Sequence, residues 1–384
     1  MTDHIYKANC IILALILFPD QTDTWKTMAK IILDCDLMKH PYSGLYYYCF
    51  NLANSAQKIL DADDKGLDIN YYVPGKEKMA FDKPGNCIIE NPGLHKFFRP
   101  FMWDCTIWHA PFQSGRMFPR KDKKRNLKIV LTIHDLNALH EGQPKEVQER
   151  SLAHTQKLIN QSDAIVCISE FAKNDVLAHC DVGSKPIYAI HNGIHNVHID
   201  DTSMRAVKPK RPFLFGIGYV NTKKNYHVLL PLLRQNPDLE LVVAGKLDDP
   251  NYIESMRQTA SEWGIADRFH LTGPVSDAEK AWYMSNCLAF MHPSLAEGFG
   301  LPVVEAMQFG KPLFLSNKTS LPEIGGDVAF YFHDFNPDHM QHLFQNGLKQ
   351  YEAGNLKEKI LQRGKDFSWE ISARKYVEVY YSLL

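Results

Sequence analysis

The stretch Glu297-Gly298-Phe299-Gly300-Leu301-Pro302-Val303-Val304-Glu305 decides how this chain is to be read. An apolar, strand-like run from Cys287 to Met291 leads into it through His292-Pro293-Ser294. Pro302 belongs in the first turn of a helix, where its missing N–H costs little. Residues 298–301 are then the turn that opens that helix. A glycine-rich turn entering a helix gathers unpaired backbone N–H groups at the positive end of the dipole, which is a place for a phosphate. Glu297 and Glu305 flank this nest of amides, eight positions apart. A carboxylate repels phosphate but accepts hydrogen bonds from hydroxyls. The ligand so described carries a diphosphate in the middle, a hydroxyl-rich group at one end and a ribose at the other, as a nucleotide sugar does.

The same nine residues resemble the Glu-x7-Glu motif of glycosyltransferase family 4, retaining enzymes of the GT-B fold that include many bacterial mannosyl- and glucosyltransferases. The resemblance runs from roughly residue 29 to the end. It implies an α/β chain of GT-B type, two Rossmann-like doubly wound domains facing each other across a cleft. It also implies roles: Glu297 on the donor sugar, Glu305 on the ribose, and Gly298, Phe299, Gly300 and Leu301 along the donor between them. Two isolated glutamates would ordinarily be a cap and a solvated helix residue. The matching Gly-Phe-Gly-Leu-Pro between them outweighs that reading.

Composition agrees with a soluble two-domain protein. The chain has 384 residues, enough for two domains with ample core. Apolar content is 45% and charged content 23%, ordinary for a globular protein. A net charge of −1 argues against nucleic acid as the partner. The eight cysteines show no CxxC pair or metal spacing, and several lie in apolar runs, as reduced core thiols do. The expected location is therefore cytoplasmic, including the inner face of the membrane.

Residues 1–28 are expected to form an extension outside the fold. Their apolar run, Cys10 to Phe18, is too short to span a bilayer and lacks a basic leader or a small-residue cleavage site. A peripheral membrane anchor is the alternative reading. Beyond it, short β-branched runs alternate with helical stretches, the pattern of parallel α/β sheets. Strands are predicted at 31–35, 69–73, 106–109, 128–133, 164–168 and 187–190, and again at 213–215, 239–243, 268–271, 287–291 and 312–315. Helices include 45–60 and 145–160, and the irregular stretch His195 to Pro212 serves as a linker. With the resemblance, this gives an acceptor-binding domain at 29–205 and a nucleotide-sugar-binding domain at 206–367. An amphipathic helix at 368–384 is expected to cross back onto the first domain.

Other constellations sort against this frame. Gly216-Ile217-Gly218-Tyr219-Val220-Asn221 lacks the third glycine of a dinucleotide fingerprint. It is similar instead to the family's glycine turn, which makes Gly218 a donor contact and Lys224 the phosphate-binding lysine. Lys223 stands where the family often has Arg, and Tyr219 replaces another frequent Arg. Thr132-Ile133-His134-Asp135 ends a strand, where ligands gather in open α/β sheets, and His134 matches a family histidine facing the donor. Ser43-Gly44-Leu45-Tyr46-Tyr47 resembles the family's phosphate loop, but only Gly44 carries over, with tyrosines in place of a second glycine and an Arg.

Asp34-Cys35-Asp36 spells a literal DxD, yet it falls too early for the glycosyltransferase fold that uses that motif, and no metal is expected. The bulky run Leu94 to Trp103 is expected as a core-facing helix, and the basic run Arg120 to Lys128 as a solvated loop. Together they permit contact with an anionic membrane or a lipid-pyrophosphate acceptor.

The catalytic set implied by the resemblance is Lys224, Glu297 and His134, with Glu305, residues 298–301, Lys223, Gly44 and Gly218 holding the donor. The expected activity is retaining transfer of a hexose, mannose by overall resemblance, from a nucleotide sugar such as GDP-mannose to a glycan or lipid-linked acceptor. No cofactor is expected beyond that co-substrate. Two alternatives stay open at this stage. One is another GT-B enzyme, a phosphorylase or sugar-nucleotide epimerase; the other is a catalytically silent sugar-nucleotide-binding subunit.

Overall fold

The computed structural model describes residues 29–384 except 41–42, 64–65, 96, 121–125 and 195–205. The extension at 1–28, most of the basic run and most of the linker lie outside the described residues. What remains is built on two sheets, in both of which every strand pair is parallel. The first contains β1 (Ala29–Asp34), β2 (Leu67–Val73), β3 (Cys87–Ile89), β4 (Cys105–Ala110), β5 (Lys128–Ile133), β6 (Ala164–Cys167) and β7 (Ile187–Ala189), in the order β3-β2-β1-β4-β5-β6-β7. The second contains β8 (Phe213–Ile217), β9 (Glu240–Ala244), β10 (Phe269–Gly273), β11 (Ala289–His292), β12 (Leu313–Ser316) and β13 (Phe330–Phe332), in the order β10-β9-β8-β11-β12-β13.

Both orders reverse direction beside their first strand, and open α/β sheets bind ligands at the carboxyl ends of the strands around such a reversal. Central strands are covered on both faces, so β1, β5, β9 and β11 are near-continuous buried apolar runs. Strands β3 and β13 were not anticipated from sequence. Each has three residues and sits at the edge of its sheet, too short for an alternation to show.

The final helix, Trp369–Ser382, packs on helix Gly44–Asp61 of the first half. The Tyr48 and Tyr376 hydroxyls share a 2.6 Å hydrogen bond. Buried His109 is held between the Tyr380 hydroxyl at 2.7 Å and Thr132 Oγ1 at 2.8 Å. The C-terminus therefore completes the core of the N-terminal half.

The two halves also touch directly. The amides of Glu170 and Phe171, opening helix Glu170–His179, donate to the Glu323 carboxylate of the second half at 2.8 and 2.9 Å. A carboxylate at a helix start is favoured by the dipole.

The run from Leu94 to Trp103 corrects the expectation of a core-facing helix. It forms little more than isolated turns, Pro92–His95 and Pro100–Met102, because Pro100 interrupts it. Its bulk faces solvent: Phe97 is 84% and Trp103 67% exposed.

Candidate functional site

Strand β11 ends at His292, and the chain then turns sharply into helix Leu301–Met307, with Pro302 in its first turn. Gly300 caps that helix with φ 103°, a conformation side chains resist. Gly298 is required for a different reason: a Cβ there would lie 2.5 Å from the carbonyl oxygen of His134 in the other half. Backbone groups of the turn are pinned from behind. Thr319 Oγ1 accepts from the Glu297 amide at 2.9 Å, and Ser320 Oγ lies 2.9 Å from the Glu297 carbonyl and 3.0 Å from that of Phe299. From the first half, Ser169 Oγ donates to the Gly298 carbonyl at 2.8 Å.

The Phe299 ring is buried against His191 and Phe367, so that residue offers a ligand its backbone, not its side chain. Leu301 approaches Gly44 across the cleft, its Cδ1 3.6 Å from where a Gly44 Cβ would stand.

Each glutamate of the pair holds a lysine. Glu297 is ion-paired with Lys224, and the same carboxylate oxygen lies 2.8 Å from His292 Nε2. Burial alone would lift the Glu297 carboxyl; Lys224 and His292 outweigh it and hold it well below the usual carboxylate range. Burial depresses the His292 imidazole against the pull of Glu297; a carboxylate accepts, so Nε2–H donates to it, and among the described residues the buried Nδ1 has no hydrogen-bond partner. Lys224 is reached from the glycine turn after β8: Asn221 caps the turn by accepting from the Lys224 amide at 3.3 Å, and Gly218 lies against the lysine stem.

Lys223, one position earlier, points elsewhere. Its ammonium is 2.8 Å from Glu141 of the first half. Burial would lower its pKa, but Glu141 outweighs that and raises it. At the other end of the motif, Glu305 Oε1 accepts from Lys280 Nζ at 2.8 Å.

The first half contributes His134, just after β5. Its Nε2 lies 2.8 Å from the carbonyl of Pro111, and its backbone N–H donates to Gln113 Oε1 at 3.0 Å. A carbonyl can only accept, so the proton sits on Nε2 and Nδ1 is the acceptor. Burial pushes the His134 pKa down to about 4, partly opposed by the Pro111 bond, so the ring is neutral at physiological pH.

Asp34 and Asp36, the literal DxD, are buried. Asp36 is bound by Arg116 Nε at 2.6 Å, and burial beside Asp36 pushes Asp34 well up. Among the described residues, no group of three or more His, Cys, Asp or Glu is arranged to hold a metal ion.

Glu297, Lys224, His134, Gly298, Gly218 and Gly44 are thus gathered along one cleft, with Glu305 at the far end of the short helix. Three partners went unread in the sequence: His292, Lys280 and Glu141. His292 precedes the motif by five residues, where the sequence marks only the entry to the turn. The other two carry no local signal.

Comparison with known proteins follows the same lines. The family profile described as "Glycosyl transferases group 1" matches residues 200–366, and "Glycosyltransferase Family 4" matches residues 56–196. The serotype-specific mannosyltransferase WbdA of Escherichia coli is 28% identical over 282 residues, 67% of this chain and 34% of that protein. The chain therefore spans about a third of the length of that relative. The GDP-mannose:cellobiosyl-diphosphopolyprenol alpha-mannosyltransferase of Komagataeibacter xylinus is 28% identical over 92% of this chain and 93% of its own.

Among solved structures, sucrose-phosphate synthase from Thermosynechococcus elongatus matches with a TM-score of 0.71 at 17% identity, covering 92% of this chain and 99% of that one. Anabaena Alr3699/HepE in complex with UDP-glucose matches at 0.68 and 16%, with the same coverage. At such identities the likeness establishes the fold, which is GT-B.

Proposed function

The chain belongs to glycosyltransferase family 4, and on that premise we propose that it is a retaining glycosyltransferase moving mannose from a nucleoside-diphosphate sugar to an acceptor hydroxyl, in surface-polysaccharide or glycoconjugate synthesis. The observation that carries this reading is the pair Glu297 and Glu305 at opposite ends of one turn and helix, each with a lysine on its carboxylate. Hydroxyls of the sugar would take Glu297 and those of the ribose Glu305, with the diphosphate between, beside Lys224. GDP-mannose as donor is supported by similarity to two mannosyltransferases, one of them named for that donor.

In the proposed reaction the acceptor oxygen bonds to the anomeric carbon on the face the diphosphate leaves. The carbon–oxygen bond to the diphosphate breaks, and the acceptor proton passes to the leaving phosphate oxygen. The protein orients both substrates and stabilises the departing charge. Lysines supply that charge, so the reading calls for no cofactor beyond the donor.

The acceptor is a glycan or lipid-linked saccharide, as the name of the Komagataeibacter relative supports. The exposed Leu94, Phe97, Phe98 and Trp103 of the acceptor half support peripheral contact with the membrane that would carry it. Among the described residues no helix is long and apolar enough to cross a membrane.

Calorimetry with GDP and kinetics with GDP-mannose test the reading. Glu305→Ala should weaken GDP binding about tenfold, the loss of one or two hydrogen bonds to a charged group. Glu297→Ala should spare GDP binding and damage transfer. Equal losses of GDP affinity in both variants would overturn the proposed order along the donor.

A further inference from the structure

We infer that Lys280 is the positioning residue of the ribose carboxylate, fixing Glu305 before the nucleotide arrives; the inference rests on the assignment of Glu305 to the ribose proposed above. Lys280 stands on helix Asp277–Asn286, whose start is locked by a capping box. Ser276 Oγ accepts from the Glu279 amide at 3.2 Å, and Glu279 Oε2 accepts from the Ser276 amide at 2.9 Å. From that fixed base the Lys280 ammonium reaches Glu305 Oε1 at 2.8 Å and Asp277 Oδ1 at 3.1 Å.

The Lys280 and Glu305 side chains are 15% and 22% exposed, so the pair is largely out of water and better defined than a surface ion pair. Burial would lower the Lys280 pKa, yet the two carboxylates raise it, so the ammonium stays charged. Only Oε1 of Glu305 is engaged. Among the described residues Oε2 receives no hydrogen bond, which leaves it to a ligand hydroxyl.

Asp277 extends the arrangement across the cleft, since its Oδ2 takes a long hydrogen bond, 3.3 Å, from the Tyr47 hydroxyl of the first half. A carboxylate already held at one oxygen loses less freedom on binding, which is how preorganisation raises affinity.

A plain structural ion pair would affect every nucleotide alike; a positioning residue affects the ribose contact specifically. Calorimetry with GDP and with 2′,3′-dideoxy-GDP separates the two, with UDP and its dideoxy analogue used if UDP is what the wild type binds. Wild type should prefer the ribose form about tenfold. In Lys280→Met that preference should collapse toward one. Lys280→Arg should keep it. Should Lys280→Met fail to fold, Lys280→Gln carries the same measurement.

A variant that weakens both nucleotides equally, or leaves the preference intact, overturns the role of Lys280. A wild type without the preference overturns the ribose assignment of Glu305 itself.

Discussion

Replacing Lys224 by Met removes the ammonium paired with Glu297, and the structure predicts two effects. Lys224 and Glu297 are ion-paired on side chains only 13% and 12% exposed. In the proposed reaction negative charge grows on the diphosphate as the glycosidic bond breaks, and a fixed cation beside it favours the transition state over the ground state. Removing one such preorganised group lowers kcat by about 10²- to 10³-fold, about 2.7–4 kcal/mol. Affinity for the intact donor should change less.

The second effect is on folding. Breaking a buried ion pair from one side costs about 3–5 kcal/mol. Glu297 would keep its 2.8 Å bond to His292, so the loss should fall at or below the lower end, about 3 kcal/mol.

The two effects are separable. Adding Glu297→Gln to Lys224→Met removes the stranded carboxylate, so most of the lost stability should return in urea denaturation. Steady-state kinetics with GDP-mannose then report on the single variant. If Lys224→Met loses stability but keeps kcat within about fivefold, the lysine is merely the counter-ion of Glu297 and the argument fails.

The neighbouring lysine should matter less: Lys223→Ala removes a contact to Glu141 of the other half, and its kcat should fall by less than that of Lys224→Met in the same assay. The reverse ranking would mean that the loop is misaligned with the family by one residue. A pH effect follows from His134, whose buried ring titrates at about 4 against an ordinary 6.5. As pH falls below 6.5 the unfolded chain takes up a proton that the folded ring refuses, so stability is lost between 6.5 and about 4, roughly 2 kcal/mol of it by pH 5. Urea denaturation at pH 7 and pH 5 should show His134→Asn spared that share of the loss; equal losses in both proteins would refute it.

What could be read from sequence had a local cause. Strands such as β5, Lys128–Ile133, announce themselves because burial on both faces demands an unbroken apolar run. Glu297, Glu305 and the turn between them lie in one segment, where glycine and proline fix the backbone. Lys280 and Glu141 were illegible because their partners lie 25 and 82 positions away, brought close only by tertiary packing. Leu94 to Trp103 misled for another reason. Apolar residues without a helical period do not say whether they face a core or solvent, and here Pro100 breaks the helix that would have buried them.

The three lysines of the cleft share one arrangement, and it bears on how a diphosphate would enter. Lys223 is paired with Glu141, Lys224 with Glu297 and Lys280 with Glu305. A lysine held this deep without a carboxylate would lose charge or destabilise the fold, since burial disfavours the charged form. For Lys223 and Lys280 the carboxylates outweigh burial and keep the ammonium charged, and Glu297 holds Lys224 in place. On the proposed reading, a donor exchanges partners instead of introducing uncompensated charge: phosphate oxygens take Lys224 while sugar hydroxyls take Glu297. Because a buried pair is worth little net beyond its desolvation cost, such an exchange is inexpensive. At the end proposed for the ribose no exchange is needed, because Lys280 occupies one oxygen of Glu305 and leaves the other open. The two ends of the motif should therefore respond differently to loss of their lysines, one in turnover and the other in nucleotide recognition.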